Sequence, residues 1–154
     1  MTGHHPSRRL LLAAAVVLSP CLAGAVPAIR ASTREAAEAA RIINAYRATR
    51  GLGPLRVDPR LNAAAADQAR MMASTGLLSH DVAGSFAARM QRLGAPAASE
   101  NLGKGYRSAA EAVAAWRGSP PHHANLVRPH RRMGLARAEV PNGGPSYWAL
   151  ILAP

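Results

Sequence analysis

The last nine residues, SYWALILAP, place the strongest constraint on the fold of this chain. Residues 147–153 are apolar at every position, so a strand here is covered on both faces, because strand side chains alternate between the two faces. The preceding MGLARAEV, residues 133–140, alternates apolar and polar residues, and the intervening PNGG is typical of a turn. The pattern predicts a β-hairpin whose second strand is buried on both sides.

Ahead of this hairpin the sequence predicts four helices, each with a polar N-terminal residue followed by apolar residues at helical spacing. They are expected to begin at Ser32, Asp58, Ser85 and Ser108. The start at Ser32 depends on a capping box with Glu35. A brief extended piece is expected within residues 51–58. Helices in these positions predict helical layers on both faces of a sheet, which a helical bundle would not have.

The first 25 residues are typical of an export signal. Arg8 and Arg9 precede the apolar run LLLAAAVVL, which is too short to span a bilayer as a helix. The small residues of AGA at 23–25 predict cleavage after Ala25, with residues 26–31 as a linker and residues 32–154 as one domain. The arginine pair also resembles a twin-arginine signal, so both export routes stay open. The alternative is an N-terminal helix that stays in the fold.

Cys21 is the only cysteine, and it lies inside this predicted signal. A lipoprotein cleavage site there is disfavoured because Pro20 directly precedes the cysteine. After cleavage the domain would contain no thiol. Any metal would then have to bind through His, Asp or Glu side chains.

The chain is strongly basic, with 19 basic against 8 acidic residues. Without residues 1–25, 17 basic residues stand against 8 acidic ones, a net charge of +9. The cluster Arg128, His130, Arg131, Arg132 and Arg137 predicts contact with an anionic surface, chiefly through Arg128, Arg131 and Arg132. A solvated basic face is the alternative. Nucleic acid is disfavoured, because aromatic residues are few and no nucleic-acid motif is present.

Four side chains stand out as candidates for a functional site: His80, Glu100, His122 and His123. A single histidine is more often a core residue with a satisfied hydrogen bond than a ligand. Glu100 lies in SENLGKG, which has the composition of a turn, and a lone glutamate in a loop is usually solvated. Taken one at a time, these residues favour a structural role.

Taken together, they follow the order of motifs in a known family. From about residue 43 to residue 152 the sequence resembles the CAP superfamily, also called the SCP or PR-1-like domain, in its compact bacterial form. The matching segments are NAYR, LSH, SENLGKGY, WRGSPPHHANLV and YWALILA. The resemblance implies an α+β fold, a three-layer α-β-α sandwich with a central, mostly antiparallel sheet and a surface cleft.

The resemblance also implies a metal site in that cleft. Carried over position by position, the ligands of a divalent cation, often thought to be zinc, are His80, Glu100 and His122. The fourth family ligand, an acid three residues after Trp116, is Ser119 here. This departure, together with Pro121 where relatives have glycine, changes the expected shape of the cleft.

Other residues of the same segments are expected to support the cleft and its loops. Ser119 is predicted to cap a short helix that places His122 in its first turn. His123 is expected to project outward, where relatives have arginine. Asn125 is expected to fasten the loop, and Asn101 belongs to the same supporting set.

Three functions stay open, and a secreted or periplasmic binding module is favoured over an enzyme. Such a module would bind a divalent metal, a small apolar or lipid-like ligand, or a cell-envelope polymer. The alternative is a zinc-dependent envelope hydrolase, because three protein ligands leave a position for a reactive water. The sequence identifies no general base and no oxyanion stabiliser for it. A structural or adhesive domain that uses the basic face is the third reading.

Overall fold

The computed structural model describes residues 1–2, 25–140 and 143–154, with side chains in the first helix described from residue 33. Most of the predicted export signal, including Cys21, and the turn residues 141–142 lie outside the described residues. Within the described ranges, no helix is long and apolar enough to cross a membrane.

The centre of the fold is a four-stranded sheet in the order β1-β3-β4-β2. Its strands are β1 (Arg56–Val57), β2 (Ser99–Lys104), β3 (Arg132–Ala138) and β4 (Tyr147–Ala153). β4 is antiparallel to both β2 and β3, whereas β1 runs parallel to β3. The predicted hairpin of β3 and β4 and the mostly antiparallel sheet are confirmed.

Five helices accompany the sheet within the described residues. They are α1 (Ala25–Ala48), α2 (Pro59–Thr75), α3 (Phe86–Arg92), α4 (Ala109–Gly118) and α5 (Pro120–Leu126). The three predicted caps at Asp58, Ser85 and Ser108 each accept a hydrogen bond from a backbone N–H of the helix that follows. α2 ends at Thr75, and the C-cap residue Gly76 has a positive φ of 74°, which favours glycine.

The predicted start of the first helix is wrong. α1 begins at Ala25 and includes residues 26–31, the predicted linker, so Ser32 is not its N-cap. Glu35 makes an ion pair with Arg137 instead of serving a capping box. The alanine-rich segment has high helix propensity, and Pro27 in the first turn removes no helical hydrogen bond, so the helix extends past the cap signal.

The side chains of β4 divide the core into two layers, as the apolar strand predicted. Trp148, Leu150 and Leu152 pack with α1 and α4 on one face. Tyr147, Ala149 and Ile151 pack with α2 on the other face. The three-layer α-β-α sandwich is therefore confirmed, with β4 at its centre.

The segment predicted as a turn around Glu100 is a strand. SENLGK forms β2, which pairs along its whole length with β4, from Ser99 opposite Leu152 to Lys104 opposite Tyr147. Asn, Gly and Lys have low β-propensity, but the backbone ladder and burial against β4 override it. This correction moves Glu100 from a loop to a fixed position on an edge strand.

Candidate functional site

The candidate site lies around the edge strand β2, where neighbouring residues point to opposite faces of the sheet. Glu100 is paired with Ile151, which faces α2, so its side chain lies on the α2 side. Asn101 is paired with Leu150, which faces α1 and α4, so its side chain lies on the other side. The strand thus presents the carboxylate to one helical layer and the amide to α5.

Glu100 is the centre of a buried hydrogen-bonded group. Its side chain is 1% exposed, and Oε2 lies 2.7 Å from Nδ1 of His80. Nη2 of Arg89 donates to Oε1 and Oε2 of the same carboxylate, at 3.1 and 3.4 Å. Burial raises the pKa of Glu100, and the charge of Arg89 and the hydrogen bond from His80 offset part of that rise.

Arg89 was not among the residues singled out from the sequence. It lies on α3 and is 7% exposed, and it also donates to the backbone oxygens of Gly84 and His80. The sequence does contain a signal for its burial. Arg89 lies three residues after Phe86 and directly before Met90, on a helical face that is otherwise apolar. A charged residue at a core position indicates a buried partner.

His122 lies in the first turn of α5, as predicted. Its Nδ1 is 2.9 Å from Oγ of Ser119. Ser119 occupies the N-cap position, as predicted, but its side chain makes no capping hydrogen bond, and the hydroxyl contacts the imidazole instead. Burial lowers the pKa of His122, and the nearby His80 lowers it further.

Two asparagines fasten α5 to β2. Nδ2 of Asn101 donates to the backbone oxygen of His122 at 3.0 Å. Nδ2 of Asn125 donates to Oδ1 of Asn101 at 2.8 Å and to the backbone oxygen of Glu100 at 3.4 Å. These contacts agree with the predicted fastening role of Asn125 and place His122 beside the edge of the sheet.

His123 points away from the Glu100 group and is half-buried instead of projecting outward. Its Nε2 lies 2.7 Å from the hydroxyl of Tyr46. The guanidinium groups of Arg117 and Arg50 lie 4.1 and 4.9 Å from the centre of the Tyr46 ring. Tyr46 is therefore the centre of a polar contact between α1 and α5.

The predicted basic cluster does not form one solvated face. His130 is 5% exposed and lies 3.1 Å from Oγ of Ser99. Arg137 makes ion pairs with Glu35 and Glu139 and is not available as a free surface charge. Arg128 and Arg131 are exposed, as an anionic contact requires.

The three predicted metal ligands do not fit a metal centre as they are placed. No group of three or more His, Cys, Asp or Glu side chains in the described part of the chain is arranged to hold an ion. Glu100 has both oxygens occupied by Arg89 and one also by His80. A guanidinium at the carboxylate opposes a dication there. The zinc assignment therefore stays a prediction, for a titration to decide.

A four-stranded, mostly antiparallel sheet between helical layers is an α-β-α sandwich of the kind that the CAP resemblance implies. Residues 40–152 match the sequence profile of CAP, described as the cysteine-rich secretory protein family. The chain belongs to the CAP family, and the resemblance found in its motifs is confirmed. A comparison with curated proteins gives no match.

Solved structures with the same fold come from several bacteria. An extracellular protein of Bacillus anthracis that contains an SCP domain superposes with a TM-score of 0.70 at 19% identity, covering 90% of this chain and 45% of that one. An outer surface protein of Borrelia burgdorferi superposes with a TM-score of 0.65 at 19% identity, covering 75% of this chain and 92% of that one. The CAP domain of enterococcal PrgA superposes with a TM-score of 0.60 at 18% identity, covering 79% of this chain and 61% of that one.

At these identities the likeness shows the fold alone. The chain spans less than half the length of the Bacillus protein.

Proposed function

We propose that this protein is an exported CAP-domain binding protein whose cleft, between His80 and His122, holds a small cell-envelope ligand by hydrogen bonds. The observation that carries the proposal is the pair His80–Glu100. A carboxylate only accepts hydrogen bonds, so Nδ1 of His80 carries the hydrogen in the 2.7 Å contact. Nε2 of His80, whose side chain is 52% exposed, is then the nitrogen available to a ligand.

His122 supplies the second hydrogen-bonding group of this cleft. Its lowered pKa, caused by burial and by the charge of His80, keeps the ring neutral at pH 7. A neutral imidazole carries one donor and one acceptor nitrogen. The ring of His122 and the available Nε2 of His80 suit a ligand with hydroxyl, amide or carboxylate groups better than a purely apolar one.

Arg89 supports a binding site that works without metal. Its guanidinium supplies the positive charge that a buried carboxylate requires, and it holds the carboxylate on the side away from solvent. Glu100 in turn orients His80. On this proposal Arg89 takes the place of a cation, since it contacts both the carboxylate of Glu100 and the backbone oxygen of His80.

The test combines extraction of bound molecules with a zinc titration. Mass spectrometry of the exported protein is expected to detect a small molecule that His80→Ala and His122→Ala lose. The control is His123→Ala, which removes an imidazole from the same helix outside the pair, and which should retain the molecule. Retention by His80→Ala and His122→Ala would refute the proposed cleft.

A zinc titration of the same samples, followed by melting temperature, tests the predicted metal centre. If added zinc raises the melting temperature of the unmodified protein and His80→Ala abolishes that rise, the predicted metal centre is correct and the metal-independent site is wrong. We expect neither zinc nor chelator to change the melting temperature.

A hydrolase is the second candidate, and one contact favours it. Oγ of Ser119 lies 2.9 Å from Nδ1 of a neutral His122, which is able to accept the hydroxyl proton. No carboxylate among the described residues contacts His122, so the third group that orients the base in a catalytic triad is missing. Turnover of chromogenic esters that Ser119→Ala abolishes would favour the hydrolase; turnover lost to chelator would favour the zinc form.

Export is part of the proposal. It is supported by the signal pattern of residues 1–25 and by relatives that are described as extracellular or outer surface proteins. Sequencing of the mature N-terminus tests it: a chain that starts at Val26 is expected, and an intact N-terminus in the cell interior would contradict it.

A further inference from the structure

A groove of about 740 Å³ opens at the β1 edge of the sheet, away from the His80–Glu100 group. Its walls come from two segments that are distant in sequence, residues 54–60 and residues 131–132. Backbone hydrogen bonds fix these segments to each other: Arg56 N–H donates to the oxygen of Arg131, and Asp58 N–H donates to that of Met133, both at 2.8 Å. The groove is therefore a built feature of the sheet edge and not a gap between mobile loops.

Four arginines line this arginine groove, against one acid. They are Arg56, Arg60, Arg131 and Arg132. The acid, Asp58, is already engaged on both oxygens, since Oδ1 accepts from the N–H groups of Arg60 and Leu61 and Oδ2 accepts from Arg132. Arg132 also donates to the backbone oxygen of Pro154. Asp58 and Arg132 thus satisfy each other and leave the other arginines unneutralised.

The three remaining arginines give the groove its unneutralised positive charge. Arg56, Arg60 and Arg131 are exposed, and none has a carboxylate partner within the part of the chain that the structure describes. They come from β1, from the first turn of α2 and from the residue before β3, yet they line one cavity. Three like charges held together by a rigid backbone repel one another and favour an anion between them.

The chemistry of the donors selects phosphate among anions. Each guanidinium offers paired N–H donors that match the oxygens of a phosphate, and three of them exceed what one carboxylate can accept. The N–H groups at the start of α2 are not needed, because Asp58 and Pro59 already account for them. The apolar residues Pro54, Val57 and Pro59 also line the groove, so there is room for a carbon skeleton beside the charged group.

We propose that the arginine groove binds a phosphate-bearing ligand through Arg56, Arg60 and Arg131. This is a second site, independent of the cleft near His80. It revises the anionic contact expected from the sequence: Arg131 belongs to it, Arg128 does not line it, and Arg132 is held by Asp58.

Two kinds of probe distinguish the source of the phosphate. Soluble probes are inorganic phosphate and glycerol 3-phosphate, with binding followed by NMR of the arginine Nε–H groups at low salt. The membrane probe is a phosphatidylcholine vesicle with or without phosphatidylglycerol, with binding followed by sedimentation. Binding of soluble probes alone identifies a free phosphate ester, and binding only to phosphatidylglycerol vesicles identifies a lipid headgroup; either supports the groove.

The variants decide whether binding belongs to the groove. The triple variant Arg56→Gln, Arg60→Gln, Arg131→Gln is expected to weaken binding by about 100-fold. The matched control, Arg34→Gln, Arg41→Gln, Arg92→Gln, removes the same charge from exposed residues outside the groove and is expected to change binding less than about threefold. Equal losses in both variants, or no binding of any probe to the unmodified protein, would overturn the proposal.

Discussion

The guanidinium of Arg89 donates to both carboxylate oxygens of Glu100 at a point where the two side chains are 7% and 1% exposed. A charge removed from water to this degree is tolerated only with a partner. The pair therefore holds α3 to β2 and sets the position of His80, whose Nδ1 contacts the same carboxylate. Loss of either side chain leaves the charge of the other buried without its partner.

Arg89→Gln is expected to lower the free energy of unfolding by about 3 kcal/mol, because it leaves the Glu100 carboxylate buried without its countercharge. Urea unfolding at pH 7 measures the change. Arg92→Gln, an exposed arginine on the same helix, is the control and is expected to cost less than about 0.5 kcal/mol. The double variant Arg89→Gln, Glu100→Gln should recover part of the loss; no recovery would show that the two residues are not coupled.

Gly134→Ala is expected to destabilise the sheet by about 2 kcal/mol, because α2 crosses β3 at this glycine. A Cβ at Gly134 would lie 2.2 Å from backbone atoms of Leu61 and Asn62, which cannot move aside as a flexible side chain would. Thermal and urea unfolding measure the loss. Gly118→Ala, where a Cβ would have nothing within 4 Å, is the control. Similar stabilities of the two variants would contradict the close packing of α2 on β3.

The fold could be predicted because its strongest signals are local. The apolar run of β4 and the alternation of β3 gave the hairpin, and the caps at Asp58, Ser85 and Ser108 gave three helix starts. The start of α1 was misplaced, because the helix propensity of the residues before Ser32 outweighed the capping-box signal at Ser32. β2 was missed because the strand depends on its neighbour β4, which no local pattern encodes.

The site was predicted in part. The proximity of His80 and Glu100 followed from a family resemblance, whereas the contact with Arg89 did not, because the apolar stripe around Arg89 indicates a buried partner without indicating which residue that partner is. Ser119 had the sequence signal of a helix cap, yet its hydroxyl contacts His122. A serine hydroxyl can bond either the helix backbone or a neighbouring imidazole, and the sequence does not indicate which. Sequence patterns place the backbone better than they assign polar partners.

Asn101→Ala is expected to loosen α5 specifically. The amide of Asn101 is fully buried, donates to His122 O and accepts from Asn125, so its loss removes two hydrogen bonds, at a cost of about 1–3 kcal/mol. Hydrogen exchange is expected to accelerate in α5 (Pro120–Leu126). Asn44→Ala is the control, because Asn44 also makes two hydrogen bonds, but with Leu55 and not with α5. Equal acceleration in both variants would show that α5 is not fastened by Asn101.

The free energy of unfolding is expected to fall as the pH falls below about 6.5, the usual pKa of histidine. Burial lowers the pKa of His130, and Arg128 and Arg47 lower it further; burial and His80 lower that of His122. A lowered pKa means that the unfolded chain takes up these protons at a higher pH than the folded one. The stability lost between the two pKa values is at most about 1.4 kcal/mol per pH unit for each histidine.

Glu100 acts with the opposite sign. Its raised pKa means that the folded protein takes up this proton before the unfolded one, so stability rises as the pH falls toward the usual glutamate value near 4.5. Urea unfolding at intervals from pH 7.5 to 5 separates the contributions, because the histidines dominate the upper part of this range. In His130→Gln the fall in stability below pH 6.5 is expected to be shallower than in the unmodified protein, whereas Glu100→Gln should make that fall steeper toward pH 5, because it removes a contribution of the opposite sign. An unaltered slope in His130→Gln would show that the imidazole beside Ser99 is not held neutral by its burial.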